Sequence, residues 1–168
     1  MTLFLIPARA GSKRLPGKNK RLFCGLPLWQ WSIATACRVS QSEDLIIASS
    51  DDHEIEWSTY GMQRPADLAR DDTTTQEVVA DIFNKFPSQT SIVLLQPTSP
   101  TRPDSLVRQL IAHGGQVRSV TNGVPNGQCY VYRKGVTGWT DIETPIGVDI
   151  DTLQQFEEAE KDMLRRFQ

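Results

Sequence analysis

Three short apolar runs recur in the first hundred residues: Leu3-Phe4-Leu5-Ile6, Leu45 to Ser49 and Ile92 to Leu95. None alternates apolar with polar positions, so each reads as a strand buried on both faces, the pattern of a parallel sheet. Between them the period lengthens. Pro27 to Val39 places Leu28, Trp31, Ile33, Ala34, Ala36 and Cys37 on a helical face, with a proline at its start. A helix is predicted near His53 to Tyr60, behind the capping run Ser50-Asp51-Asp52. Another covers Thr73 to Phe86, with Val78, Val79, Ile82, Phe83 and Phe86 at helical spacing. Strand–helix alternation predicts an α/β fold with a mostly parallel sheet.

After the third run the pattern predicts a helix over Pro103–His113, strands over Val117–Val120 and Gln128–Arg133, and a closing helix over Thr152–Phe167. Phe156, Ala159, Met163 and Phe167 line one side of that last helix. Arg64 to Ala69 is irregular because Pro65 fixes the backbone. Trp29 and Trp31 are expected to pack in the fold rather than stack on a base. With no repeat or low-complexity linker, residues 1–168 are expected to form a single domain.

Composition narrows the function. The net charge of -2 does not suggest nucleic-acid binding. Positive charge is instead concentrated early, in Arg9, Lys13, Arg14, Lys18, Lys20 and Arg21, while acids gather from Asp149 to Glu160. That separation suits a site handling an anion at one end and a cation at the other. Cys24, Cys37 and Cys129 are far apart and have no metal-ligand spacing, and His53 and His113 are isolated. No apolar run reaches membrane-spanning length, so no membrane association and a reducing, cytoplasmic location are expected.

The stretch Ile6 to Asn19 (IPARAGSKRLPGKN) leaves the first strand as a loop broken by Gly11, Pro16 and Gly17. A basic, glycine-containing loop at that end of an open α/β sheet suits phosphate: backbone N–H groups face the oxygens and cations neutralise them. It is not a P-loop. Five residues, not four, separate Gly11 from Gly17, and Asn19 follows Lys18 where a magnesium-holding hydroxyl would stand. The alternative is a solvated basic turn.

This opening resembles that of the acylneuraminate cytidylyltransferases, the CMP-sialic acid synthetases; RLPGK alone also resembles the CMP-Kdo synthetases. Four later segments follow in the same order: RPADLARDD from Arg64, LLQPTSPTR from Leu94, PNGQCYV from Pro125 and GVDIDT from Gly147. The resemblance implies a three-layer, Rossmann-like nucleotide-diphospho-sugar transferase fold. It also implies CTP-dependent activation of an acidic 2-keto sugar to its CMP-sugar, with release of pyrophosphate. Carried over by motif, Ala8, Arg9, Ala10, Gly11, Ser12, Lys13 and Asn19 hold the triphosphate, and Arg64 and Thr75 contact the base. Gln96, Thr98, Ser99 and Asn126 face the sugar. Arg9 and Lys18 offset charge on the reacting phosphates, and Asp149 and Asp151 hold Mg²⁺. Two carboxylates two positions apart share a face of an extended segment, which fits a cation between them, although Asp151 or Thr152 as a helix cap is the simpler role. No histidine is placed to act as base, which leaves a carboxylate or a metal-bound hydroxide.

The chain also departs from that family. The relatives' extension between the QPTSP helix and the NG strand, which exchanges between subunits, is expected to be absent around residues 120–125. A monomer or a dimer of another kind is therefore expected. Arg64 follows Tyr60 closely, with little room for an intervening strand. Two alternatives stay open: a nucleotidyltransferase of this fold for another sugar, such as Kdo, or another nucleotide, and a nucleotide-binding module without catalysis.

Overall fold

The computed structural model describes residues 1–165; Phe167 of the predicted closing helix lies outside them. The strands are β1 (Thr2–Pro7), β2 (Leu22–Phe23), β3 (Leu26–Pro27), β4 (Leu45–Ser50), β5 (Gly61–Gln63), β6 (Ser91–Leu94), β7 (Val117–Thr121), β8 (Val124–Arg133) and β9 (Thr140–Glu143). The helices are α1 (Leu28–Val39), α2 (His53–Glu56), α3 (Thr75–Lys85), α4 (Asp104–Ala112) and α5 (Leu153–Arg165). Seven strands form one sheet in the order β5-β4-β1-β6-β8-β7-β9. Its β5, β4, β1 and β6 run parallel, and β8 pairs antiparallel with both β6 and β7.

Alternation along β1 divides the core. Phe4 and Ile6 face α1 and α4, packing with Ile33, Ala36, Val107 and Leu110. Leu3 and Leu5 face α3, packing with Val78, Val79 and Ile82. Both faces of the strand are thus covered, giving the three layers. A third cluster lies outside the sheet: Leu15, Phe23, Leu28, Ile150, Phe156, Ala159 and Met163. It matters most for the site, because Leu15, within the basic loop, is anchored there against α5 and the segment before it.

Several expectations need correction. Gly61–Gln63 does form a strand, β5, parallel to β4, so the short spacing before Arg64 leaves room for one. α2 is a single turn rather than a helix to Tyr60, because Ser58 to Tyr60 turn the chain into β5. The β2–β3 hairpin and β9 went unforeseen; the hairpin turns on Cys24 and Gly25, both at positive φ. β7 and β8 are joined by Asn122-Gly123, also both at positive φ, so the chain reverses there within two residues. The two tryptophans pack as expected: Trp29 is buried, and Trp31 Nε1 donates to the Phe23 carbonyl.

Candidate active site

The C-terminal ends of β1, β4 and β6 open onto one edge of the sheet, where doubly wound folds hold ligands. A cavity of about 430 Å³ lies there, lined by Arg9, Ser12, Lys13, Arg14, Lys18, Asn19, Asp71, Gln96, Pro97, Thr98 and Asp151. Residues from the basic loop and the Gln96 turn thus converge with Asp151 of the GVDIDT segment.

Packing and hydrogen bonds set the loop's shape. Leu15 is buried, and Gly17 sits at φ +66°, a left-handed conformation that a side chain would strain. Asn19 Nδ2 donates to the Arg9 carbonyl at 2.9 Å. The Ala10 N–H donates to Asp51 Oδ1 at 2.7 Å, and Ser50 Oγ to the Ala8 carbonyl at 2.6 Å. The Ala8 amide is bonded to Ser49 and that of Ser12 to the Ala10 carbonyl. The expectation that these amides face phosphate therefore does not hold for Ala8, Ala10 and Ser12, whose N–H groups already have acceptors. The cationic side chains and the Ser12 hydroxyl are what the loop presents.

Two carboxylates engage those cations. Asp71 accepts from Arg9 Nη1 at 2.7 Å and pairs with Lys13. Asp151 lies 2.9 Å from Arg14 Nη2 and 3.0 Å from Lys18 Nζ. Lys13, then Arg9, hold the Asp71 carboxyl below the usual range. The Lys18 side chain is 11% exposed and also donates to the Ile150 carbonyl at 2.9 Å. The Lys18 ammonium is therefore held by two adjacent acceptors, the Ile150 carbonyl and the Asp151 carboxylate.

Thr152 and Gln155 form the reciprocal cap of α5. Gln155 Oε1 accepts from the Thr152 N–H, and the Gln155 N–H donates to Thr152 Oγ1. Asp151 is left to the cavity; Thr152 is the cap. Between the two aspartates, buried Ile150 packs in the third cluster and its N–H donates to the Thr98 carbonyl at 2.8 Å. Asp149 is exposed and does not line the cavity. Among the described residues no group of three or more His, Cys, Asp or Glu side chains could hold a metal ion. The predicted pair does not share the cavity, and of the two only Asp151 is on its wall; one carboxylate completed by phosphate oxygens and water is a way Mg²⁺ is commonly held, and Asp151 fits that mode rather than an all-protein cage.

The remaining predicted residues separate. Gln96 and Thr98 stand on the cavity wall, while Ser99 is 1% exposed beneath the turn. Arg64 is buried against β4, its Nε donating to Ser49 Oγ and its Nη2 to the Ser49 carbonyl. Burial lowers its pKa to about 10. It lines an adjacent cleft of about 390 Å³ with Asp51, Glu56 and Arg70. Thr75 opens α3 and does not line the main cavity; Thr74 is the cap of that helix. Asn126 is tied to Ser119, Thr121 and Thr144, and does not line the cavity. Its neighbour Gly127 touches the site instead: a Cβ there would lie 2.8 Å from Gln96 Oε1. Asp51 and Asp71 are the residues sequence reasoning undervalued. Ser50-Asp51-Asp52 at a strand's C-terminal end is the available signal, and by pattern alone it is indistinguishable from a helix cap.

The model of the cytidylyltransferase family matches residues 3–131. This chain belongs to that family. It is 38% identical over 128 residues to a CMP-N,N'-diacetyllegionaminic acid synthase from Legionella pneumophila, a match covering 71% of this chain and 53% of the relative. It is 31% identical over 111 residues to an N-acylneuraminate cytidylyltransferase from Escherichia coli, covering 64% of this chain and 26% of that protein. The chain thus spans about half the length of the first relative and less of the second. Among solved structures, CMP:2-keto-3-deoxy-manno-octonic acid synthetase complexed with CTP superposes with a TM-score of 0.76 at 16% identity, over 98% of this chain and 99% of that one. That likeness establishes the α/β nucleotidyltransferase fold. As a cytidylyltransferase-family chain, the molecule places its basic loop, Gln96 turn and Asp151 around one cavity.

Proposed function

We propose that this cavity binds CTP and an acidic 2-keto sugar of the sialic-acid type and joins them as a CMP-sugar. The observation that carries the reading is the convergence of Arg9, Lys13, Arg14 and Lys18 on a wall opposed by Gln96 and Thr98. Four cations suit a triphosphate, and the Gln96 amide, donor and acceptor at once, suits a polyhydroxylated sugar; the Thr98 hydroxyl is buried, so Thr98 only closes the wall. The anomeric hydroxyl attacks the α-phosphorus, the bond between the α-phosphorus and its bridging oxygen breaks, and pyrophosphate leaves. The hydroxyl proton leaves through the wall carboxylates, Asp71 and Asp151, or to solvent; neither histidine lines the cavity.

Arg9 and Lys18 are the catalytic cations, offsetting charge as it moves onto the departing phosphates. Ser12 and Lys13 hold the outer phosphates, and Asn19 fixes the Arg9 peptide. The exposed Gly11 stays small where the loop meets the phosphates. In this reading the base extends towards the adjacent cleft that Arg64 lines, while Thr75, at the start of α3, lines neither. Asp151, not the exposed Asp149, would hold a divalent cation in this cavity, Mg²⁺ in this reading, which when bound supplies positive charge to the phosphate oxygens. Positioning and charge do most of the work in such a transfer.

We read residues 1–168 as one cytidylyltransferase domain in which the Asn122-Gly123 turn stands where its relatives carry a subunit-exchanging extension. A Kdo-type sugar is the second reading, favoured by Arg14-Leu15-Pro16-Gly17-Lys18. Among the described residues no helix is long and apolar enough to cross a membrane.

Thermal melting with CTP, UTP, GTP and ATP, each with and without MgCl₂, tests the nucleotide assignment. CTP with Mg²⁺ is expected to raise the melting temperature most. An equal or larger shift with ATP or GTP would contradict it.

A further inference from the structure

Behind the Gln96 wall lies a charge that the reaction as described does not use. Arg102 is 5% exposed, directly after the Gln96–Thr101 turn. Its Nη1 donates to Ser32 Oγ on α1 at 2.8 Å, and its Nη2 donates to the Gln96 carbonyl. Ser32 Oγ donates to that same carbonyl at 3.2 Å, and the Ser99 N–H approaches it at 3.3 Å. One carbonyl is therefore held by α1, by its own turn and by the residue leading into α4. Three buried polar atoms of the segment 98–102, Thr98 Oγ1, Ser99 Oγ and Arg102 Nε, have no partner among the described residues.

Among the described residues the guanidinium has no counterion. Burial lowers its pKa to about 10, so it remains a cation near neutral pH. The one charged-type neighbour it senses is Cys129, whose thiol burial pushes up to about 12, leaving it neutral. A buried, unpaired charge is costly. Stiffness alone does not call for one, since Pro97 and Pro100 already restrain the turn. Gln96 is confined on its far side too, by the close approach of Gly127.

We propose that Arg102 is a positioning residue: it locks the Gln96 peptide, aims the Gln96 side chain at the sugar, and sets a fixed positive charge behind that wall. The inference rests on the reading of the cavity as the place where a sugar is activated. Planar two-point donation to Ser32 and Gln96 is a task for guanidinium and not for an ammonium group.

The test compares wild type, R102M, R102K and S32A. Pyrophosphate release is measured with sugar and CTP varied separately, and amide hydrogen exchange is followed over residues 96–102. R102M is expected to raise the sugar KM about tenfold or more while the CTP KM stays within about twofold, since small misplacement of a positioning group is costly. R102K should not restore it, and exchange should quicken at 96–102 while β1 stays protected. S32A removes one link and should shift the sugar KM in the same direction by less; it carries the test if R102M does not fold. Equal changes in both KM values, a fall in melting temperature alone, or full rescue by R102K would overturn the proposal. Should wild type release no pyrophosphate with any sugar, the functional reading fails, and the exchange result alone judges Arg102: unchanged exchange at 96–102 overturns the positioning.

Discussion

Lys18 Nζ lies 3.0 Å from Asp151 Oδ1, joining residues 133 positions apart. The contact exists because Leu15 and Ile150, neighbours of the pair in sequence, are buried in one apolar cluster with α5. Core packing outside the sheet thus sets the distance between the basic loop and the acidic segment.

Lys18→Ala should remove turnover and leave the fold in place. The lysine's hydrogen bond to the Ile150 carbonyl contributes about 1.5–3 kcal/mol, less than the stability of an ordinary domain, whereas loss of a charge-stabilising donor costs about a hundredfold or more in rate. Pyrophosphate release together with a melting curve checks this. Unaltered activity would remove Lys18 from the mechanism.

Asp71→Asn should tighten CTP binding. Its carboxylate occupies Arg9 and Lys13, two of the cations that the phosphates need. The pairs are solvent-exposed, so the gain should be modest, about two- to fivefold at low salt and less at high salt. Calorimetric titration with CTP reads it out. Weaker binding would mean that Asp71 orients the cations instead of competing for them.

Gly127→Ala should impair sugar use more than nucleotide binding. Gly127 has φ +74°, and an added Cβ would sit 2.8 Å from Gln96 Oε1. The side chain must shift, and the left-handed backbone costs about 1 kcal/mol as well. A raised sugar KM with an unchanged CTP-induced melting shift is the expected pattern; a change in CTP binding alone would contradict it.

Alkaline pH should destabilise the fold through Cys129. Burial raises this thiol from 9.0 to about 12. The folded-state value lies above the unfolded one, so the contribution is complete below about pH 9 and is lost as the pH rises towards 12. Tyr132, raised from 10.0 to about 12 by burial, acts in the same direction over the upper part of that range. Urea midpoints measured between about pH 8 and about pH 11 should fall, and Cys129→Ala should reduce the slope. An equal slope in the variant would contradict the assignment.

What could be read in the sequence follows from the length of each signal. β1, β4 and β6 are continuous apolar runs between helical periods, and α1 and α3 keep their faces over eleven residues or more. β2, β3 and β5 hold two or three residues each, too few for any period, and β9 is largely polar. The basic loop was legible because its cations are adjacent in sequence. The pairing of Arg9 with Asp71 was not, because the partner lies 62 positions away. The PNGQCYV motif points Asn126 at the sugar, and a motif cannot show that its amide is tied to Ser119, Thr121 and Thr144. Arg102 read as the end of a motif; its burial beneath Gln96 depends on α1, which supplies Ser32.

The most direct measurement is pyrophosphate release from CTP, with and without MgCl₂, across a panel of acidic 2-keto sugars including N-acetylneuraminate and Kdo, with Asp151→Asn alongside. The account predicts metal-dependent release with a sialic-type sugar, lost in the Asp151 variant while α5 stays folded on its Thr152–Gln155 cap. No release with any sugar, in a protein that CTP still stabilises, would contradict it and leave a nucleotide-binding domain.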